Sequence, residues 1–572
     1  MRGEKMKKNH KEILFCLLIM IGFFILEQAT LFANQFVGYY WTDDAFPNFP
    51  WSIENSPDNG FIIGAETWSR NGIKMYPPDA IVIRVDSEGK VLWWKQFGTG
   101  CGVYPCGITR TSDNSYIIAA SGNCIGDSLN AKAWLIKIKD DGTILWQRAY
   151  GVNTYCHKAY ELFDHSLIIV GGTWELVGED WINRPQVMKI DEDGNVLWTK
   201  ILKTGSDYEW LEGSTFISDS EFIAWGRSRL YKFNIDGTLI WQKALAESIG
   251  NWIKSLVVTP EGNLIIAAHY DPYDVGGYAE PTILCYSDDG TLKWAKKLPV
   301  VDNHFDNSVY LCPLFPKGDG TITSYAFFFS YVAADGNMYW GPGAIQFNED
   351  GKMGQNALFY KTPFLVTSVW SKVATVAADG NIVFSGELCV DPFYSISWDW
   401  KNALIKTDGG NLLNGNCTET IEIPLYWEDC DAPCLLKGND EIESVTTTSF
   451  DTTPYNYFYD VVVKSVNTFC PVITQINKLQ NPFRLEILGY NFIPPYWGSY
   501  IPQVVINDNP VPQTTWKWWK NLNRIIAKKD TALKYMLPKG VPVCVQIRAV
   551  DSHNNDIVYP LYQQSDCFYF TR

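Results

Sequence analysis

Histidine is scarce in this chain, with six in 572 residues and five beyond residue 33, at 157, 165, 269, 304 and 553. No two share metal-ligand spacing, and neither H-E-x-x-H nor G-x-S-x-G occurs, so zinc-hydrolase and nucleophile-elbow chemistry lack their residues. Cysteine is plentiful at fourteen, yet no C-x-x-C is present, which argues against a zinc ribbon, a thioredoxin-type site and covalent haem. Charged residues make up only 19%, and 63 acids outnumber 47 bases for a net −16. An acidic protein does not coat nucleic acid by bulk charge, so no nucleic-acid partner is expected. Long hydrophobic runs are missing too. The longest, 13–26, follows a basic start and falls short of the roughly 20 residues that span a bilayer.

That run fits the core of a signal peptide. Processing is expected after Ala33, which makes residues 1–33 the leader and the remainder exported, with no transmembrane segment. An uncleaved anchor is the alternative. Cys16 goes with the leader, leaving thirteen cysteines in a compartment where disulfides persist. Cys101/Cys106, Cys430/Cys434 and Cys544/Cys567 are the candidate bridges. An odd number leaves at least one thiol free or intermolecular.

What the chain has in abundance is hydrophobic (46%) and aromatic (15%) residues, enough for a large folded core. It also repeats. Asp86-Ser-Glu-Gly-Lys-Val-Leu-Trp93, Asp140-Asp-Gly-Thr-Ile-Leu-Trp146, Asp191-Glu-Asp-Gly-Asn-Val-Leu-Trp198, Asn234-Ile-Asp-Gly-Thr-Leu-Ile-Trp241 and Ser287-Asp-Asp-Gly-Thr-Leu-Lys-Trp294 share one tail, and degenerate copies follow at 348–351 and 406–410. The turn glycines fall at 89, 142, 194, 237, 290, 351 and 409. Each unit parses into four short strands, the last two joined by a hairpin in which Gly supplies a left-handed residue. Seven such units predict an all-β, seven-bladed β-propeller over 34–417. The recurrent Trp is expected on the last strand, packed between neighbouring blades.

These Asp-Gly-x-x-x-Trp units resemble the repeats of secreted propellers in the quinoprotein-like superfamily. The resemblance implies a fold, since propellers host enzymes and binding scaffolds alike. Quinone dehydrogenases of that kind have eight blades and adjacent cysteines at the cofactor, whereas seven units and no Cys-Cys are found here, so no quinone is expected. Residues 418–469 are read as an extended connector. Beyond it, Leu485-Glu-Ile-Leu-Gly-Tyr-Asn-Phe492 and its flanking apolar blocks resemble the IPT/TIG immunoglobulin-like domain, implying a β-sandwich over 470–572.

Candidate sites follow from loop lengths. Turns opening on one propeller face are short throughout. Loops on the other face are long and carry aromatics, so Trp174, Trp181, Tyr270, Tyr273, Tyr339, Trp340, Trp398 and Trp400 form the expected binding face, suited to a glycan or a cell-surface protein. The fourth unit, Ala224-Trp-Gly-Arg-Ser-Arg, leaves almost no loop there. Asp-rich turns such as 191–194 admit calcium, but they lack the later ligands of a calcium loop and read first as hairpin turns. The 470–572 region holds eleven basic and six acidic residues, and Lys517, Lys520, Arg524, Lys528 and Lys529 form a basic patch there. No catalytic set is evident. The expected function is a non-catalytic binding or adhesion protein, against two rivals: a subunit of an extracellular filament or surface layer that self-associates, and a propeller enzyme, quinone-dependent or glycan-cleaving.

Overall fold

The computed structural model describes residues 36–572 with breaks, the longest at 123–130, 270–280, 299–307, 390–399, 408–418, 452–471, 493–499 and 552–567. The described residues are almost entirely strand. Their one helix, Thr531–Met536, is six residues long, and no helix is long and apolar enough to cross a membrane.

Seven antiparallel sheets follow one another along the chain. The first six begin at Ala45–Asn55, Val103–Arg110, Thr154–Glu161, Leu211–Ser218, Trp252–Val258 and Ser308–Pro316. Each then continues outward through three more strands in sequence order. The seventh is built from Leu365–Thr367, Ala374–Val376, Ile382–Cys389 and Trp400–Lys406. Its outer strand is the N-terminal Phe36–Tyr40, with Phe36 opposite Lys406 and Tyr40 opposite Asn402. The first strands of successive sheets touch all the way round, and the seventh sheet returns to the first, where Asn55 Nδ2 donates to Val376 O at 2.7 Å. The N-terminus therefore closes the ring. Apolar clusters fill each space between sheets, for example Ile62, Val82, Ile108, Tyr116 and Trp134 between the first and second.

The repeat has a physical reason. Trp93 Nε1 donates to Asp140 O of the next sheet at 2.7 Å, and Trp146, Trp198 and Trp294 do the same to Glu192 O, Ile235 O and Glu349 O. Each carbonyl lies two residues before the turn glycine. At Gly142 a Cβ would meet the Trp93 ring at 3.2 Å, and φ there is +83°. The glycine thus answers two demands, a left-handed turn and room for the neighbour's indole. Gly142→Ala is expected to cost more than about 1 kcal/mol, since an L residue at positive φ is strained even without the clash. Chemical denaturation against Gly262→Ala checks this. Gly262 has a similar φ of +79° but open space around it, so equal losses would show that the ring contact contributes nothing.

A second periodic feature escaped the sequence reading. The third strand of five sheets carries a cation that reaches an acid at that sheet's first hairpin. The pairs are Arg84–Asp58 (2.6 Å), Lys137–Asp113 (3.1 Å), Lys189–Asp164 (3.2 Å), Lys232–Glu221 (2.9 Å) and Lys406–Asp379 (2.6 Å). Burial opposes ionisation of Asp113, but Thr111, the Ser115 N–H and Lys137 outweigh it and hold the carboxyl down to about 2. Arg84, fully buried, also pairs with Asp140 of the next sheet at 2.8 Å.

The connector departs most from expectation. Within 418–469, five short strands add to the outer edges of five sheets, in reverse chain order. Glu419–Pro424 joins the sixth sheet, Glu428–Asp429 the fifth, Leu436–Lys437 the fourth, Glu441–Val445 the third and Ser449–Asp451 the second. By register, Glu419 stands opposite Lys361, Glu428 opposite Lys297, Asp429 opposite Lys296, Glu441 opposite Lys203 and Asp451 opposite Arg148. Opposite charges facing across a strand pair favour one register over a slipped one. Each belt strand becomes the outer edge of its sheet and keeps that edge short, two to six residues.

Residues 472–571 form two further four-stranded sheets sharing one core, including Ile473, Leu485, Ile487, Phe492, Val504, Ile525, Val545 and Ile547. Cys544 is disulfide-bonded.

Candidate functional site

The first strands of the sheets converge, and in each of the first six the pairing slips at one shared position, with a second slip in the first sheet at Phe46/Asn48 and in the fourth at Phe216/Ser218. The slips are Pro50/Ser52, Pro105/Gly107, Cys156/Lys158, Leu211/Gly213, Ile253/Ser255 and Leu311/Leu314. A bulge bends its strand and re-aims one side chain. The residues so displaced are Trp51, Cys106, His157, Glu212, Lys254 and Cys312, the last with Pro313. Each is half-buried, and most sit directly between buried neighbours. The strand residue before the bulge faces only Ala or Gly on the second strand: Ala65, Ala120, Gly171, Gly226, Ala268 and Ala326. That permits close approach, for a Cβ on Gly171 would lie 2.1 Å from Tyr155 O.

Two residues before each bulge residue stands an aromatic. Tyr104, Tyr155, Trp210, Trp252 and Tyr310 are all partly exposed, Tyr104 to 39%. Phe49 holds the same register in the first sheet, and Trp370 the same sequence position in the seventh, outside the described residues. The described aromatics form a collar at one end of the convergent strands, on the face away from the short turns. Trp210 and Trp252 meet edge to face at 6.1 Å. The Arg227 guanidinium lies 5.4 Å and Lys254 Nζ 3.4 Å from the Trp252 ring centre. Trp210 Nε1 donates to Glu212 Oε1 at 2.5 Å, and Trp51 Nε1 to the buried Glu66 at 3.0 Å. Tyr155 packs on His157 at 5.5 Å. Burial, aided by nearby Glu212 and Glu209, pushes the Tyr155 hydroxyl up. Burial and Glu66 do the same to Tyr104, so both hydroxyls remain hydrogen-bond donors.

Chemically, the collar offers indole and phenol faces for stacking, with donors and acceptors of both charge signs at its edge. Among the described residues no group of three His, Cys, Asp or Glu gathers as metal ligands. The Asp191 carboxylate accepts from the Asp193 and Asn195 N–H groups of its own turn, as a hairpin turn requires.

The residues singled out from the sequence fare unevenly. Segment 174–186 is not a loop. Leu167–Val177 and Asp180–Ile190 pair to their ends, with Val177 opposite Asp180 across a turn at Gly178 (φ +68°). The hairpin tip exposes Leu176, Val177 and Trp181, with Trp181 at 52%. Trp174 is half-buried near its base. Tyr339 is a correction. It is 9% exposed and packs at 5.2 Å on Phe359 in the core between the fifth and sixth sheets, because Met338–Asn348 extends the ladder through it. Trp340 and Trp400 belong to strands, but their side chains are outside the described set, as are Tyr270, Tyr273 and Trp398 entirely.

Of the basic patch, Arg524 is engaged, its Nε donating to Glu486 Oε1 at 2.7 Å. Lys517 lies on the edge strand Trp516–Trp519, and Lys520, Lys528 and Lys529 are outside the described residues. Cys106 is a thiol whose Sγ lies 3.4 Å from Tyr104 O, so the 101/106 bridge is not formed. Its Sγ also lies 3.8 Å from Ser121 Oγ on the second strand. Cys101, Cys430, Cys434 and Cys567 are outside the described residues.

The collar was missed, although a signal was present. Phe49-Pro-Trp51, Tyr104-Pro-Cys106, Tyr155-Cys-His157, Trp210-Leu-Glu212, Trp252-Ile-Lys254, Tyr310-Leu-Cys312 and Trp370-Ser-Lys372 recur once per unit. Their shared position is the aromatic, while the bulge residue varies in type.

No family model matches this sequence, and no curated protein does. Solved structures similar to it include the Neurospora crassa Pan2 WD40 domain (10% identity, TM-score 0.33, 64% of this chain and 90% of that one). A Penicillium chrysogenum alpha-L-arabinanase complexed with arabinobiose is another (13%, 0.32, 65% and 98%). The phage phi92 endosialidase is a third (12%, 0.34, 80% and 85%). These are β-propeller folds, enzymes and a WD40 domain among them, and similarity this low assigns no activity.

Proposed function

We propose that this chain is an exported, non-catalytic binding protein. In this reading the seven sheets are the blades of a propeller, and the 472–571 unit is an immunoglobulin-like module that carries it. The partner is a glycan or a cell-surface protein, met on the face that bears the long hairpins. One observation carries the reading: the two faces differ. On one, every turn closes in a few residues, as at Ser56–Gly60 and Thr259–Asn263. On the other, the third blade projects a hairpin whose tip exposes Leu176, Val177 and Trp181 beside Glu179 and Asp180. Apolar side chains at an exposed tip are what a recognition surface uses and what a purely structural hairpin avoids.

Cell-surface binding by purified protein is the test. Leu176→Ser combined with Trp181→Ala is expected to weaken it at least about tenfold, the equivalent of one anchor residue of roughly 1.4 kcal/mol. Unchanged binding would remove this hairpin from the recognition face.

A further inference from the structure

We infer that the aromatic collar at the convergent strands is a binding site for a neutral saccharide. This rests on the binding-protein reading and names the ligand class of its central site. Three observations converge. First, one bulge recurs in six consecutive sheets at the same distance from the following turn, and in each sheet an aromatic precedes it by two residues. A ring of stacking surfaces is thereby built on strands, which hold side chains more rigidly than loops do. Core packing alone does not need it, because the same rings are left partly exposed while adjacent Ile253, Leu211 and Cys156 are buried.

Second, the charges select against ionic ligands. Arg227 and Lys254 already lie against Trp252, so a cationic ligand meets two like charges at that ring. Glu66, Glu209 and Glu212 stand in the same ring of residues and repel an anionic one. Glu66 and Glu209 are themselves buried, at 5% and 2%. Third, the hydrogen-bonding groups are mixed. The exposed Tyr104 hydroxyl donates, carboxylates accept, and His157 has a nitrogen for either role, while the Tyr155 hydroxyl is turned inward beside Gly172 and Asn183 and leaves its ring as the stacking surface. Flat apolar faces with alternating donors and acceptors match a sugar ring, which has C–H faces and a hydroxyl rim.

The experiment uses the full chain on an array of neutral, uronate-bearing and amino-sugar oligosaccharides, followed by titration calorimetry. Neutral oligosaccharides are expected to bind. Trp252→Ala or Trp210→Ala should weaken binding by tenfold or more, and Trp252→Phe should restore part of it. Tyr104→Ala, at an exposed position, serves where an indole variant fails to fold, and is expected to weaken binding several-fold with an unchanged melting temperature. Phe163→Ala, at an exposed short turn on the opposite face, should leave saccharide binding intact. Selective binding of charged sugars, or neutral-sugar binding indifferent to Trp210, Trp252 and Tyr104, overturns the inference. Cell-surface binding that falls with the hairpin variant while no sugar binds also overturns it, and leaves the recognition-face reading standing. Absence of both kinds of binding overturns both.

Discussion

Reversing five acids of the belt to lysine, at Glu419, Glu428, Asp429, Glu441 and Asp451, is expected to detach it from the outer edges. Each of these residues faces a cation across the ladder. An attractive cross-strand pair contributes about 0.2–1 kcal/mol, and like charges directly opposite are unfavourable. Five reversals therefore amount to several kcal/mol, on the order of 5, acting on strands only two to six residues long. Amide exchange followed by mass spectrometry should show lost protection in 419–451 and along Met353–Lys361, Leu292–Lys297 and Val196–Lys203. The first sheet, whose outer strand Val91–Phe97 has no belt strand among the described residues, serves as the internal control. Unaltered protection in the belt would mean that its backbone hydrogen bonds suffice without the charge pattern.

Arg84→Met is expected to be the most damaging single substitution. The guanidinium is completely buried and binds Asp58, Asp140 and the Val85 carbonyl, and Asp140 also accepts from Tyr116. Burial would lift the Asp140 carboxyl, but Arg84 and Tyr116 keep it ionised. Removing the cation leaves two acids that lose their partner and an arginine-sized gap between two sheets. Breaking one side of a fully buried pair costs roughly 3–5 kcal/mol, and here the loss should fall below that range because Asp58 and Asp140 are 47% and 40% exposed and keep part of their hydration. Lys137→Met, which breaks the equivalent single pair at a more accessible site, should cost clearly less. Denaturant titration separates them, and equal midpoints would show that Arg84 contributes no more than its neighbours.

How far the sequence revealed this molecule depends on which residues repeat. The Asp-Gly turns and Trp were legible because both members are constrained: every turn needs a left-handed residue, at Gly142, Gly237 and Gly351 an indole also crowds that position, and Trp supplies the N–H donor. The collar was less legible because its constant member is merely aromatic and its displaced member is Trp, Cys, His, Glu or Lys by turns. A bulge has no composition of its own. Trp181 on the 174–186 hairpin is exposed, at a place the loop-length argument put on an open face. Tyr339 is not, since strand pairing continues past the point where the residue pattern suggested a loop. The connector gave no periodic signal at all. Its strands are two to six residues long, and four of the five set an acid opposite a Lys or Arg 58 or more positions away in the chain, while Lys437 faces Lys243.

The belt also determines how the molecule bears tension. A pull on the C-terminal unit travels down the connector and meets Ser449–Asp451 on the second sheet first, then Glu441–Val445, Leu436–Lys437, Glu428–Asp429 and last Glu419–Pro424. The attachments are loaded in series and yield one at a time, the longest last. Each release pays out slack while the four inner strands of that sheet stay paired. A tethered particle pulled by flow would extend stepwise at its perimeter before any sheet of the ring came under strain.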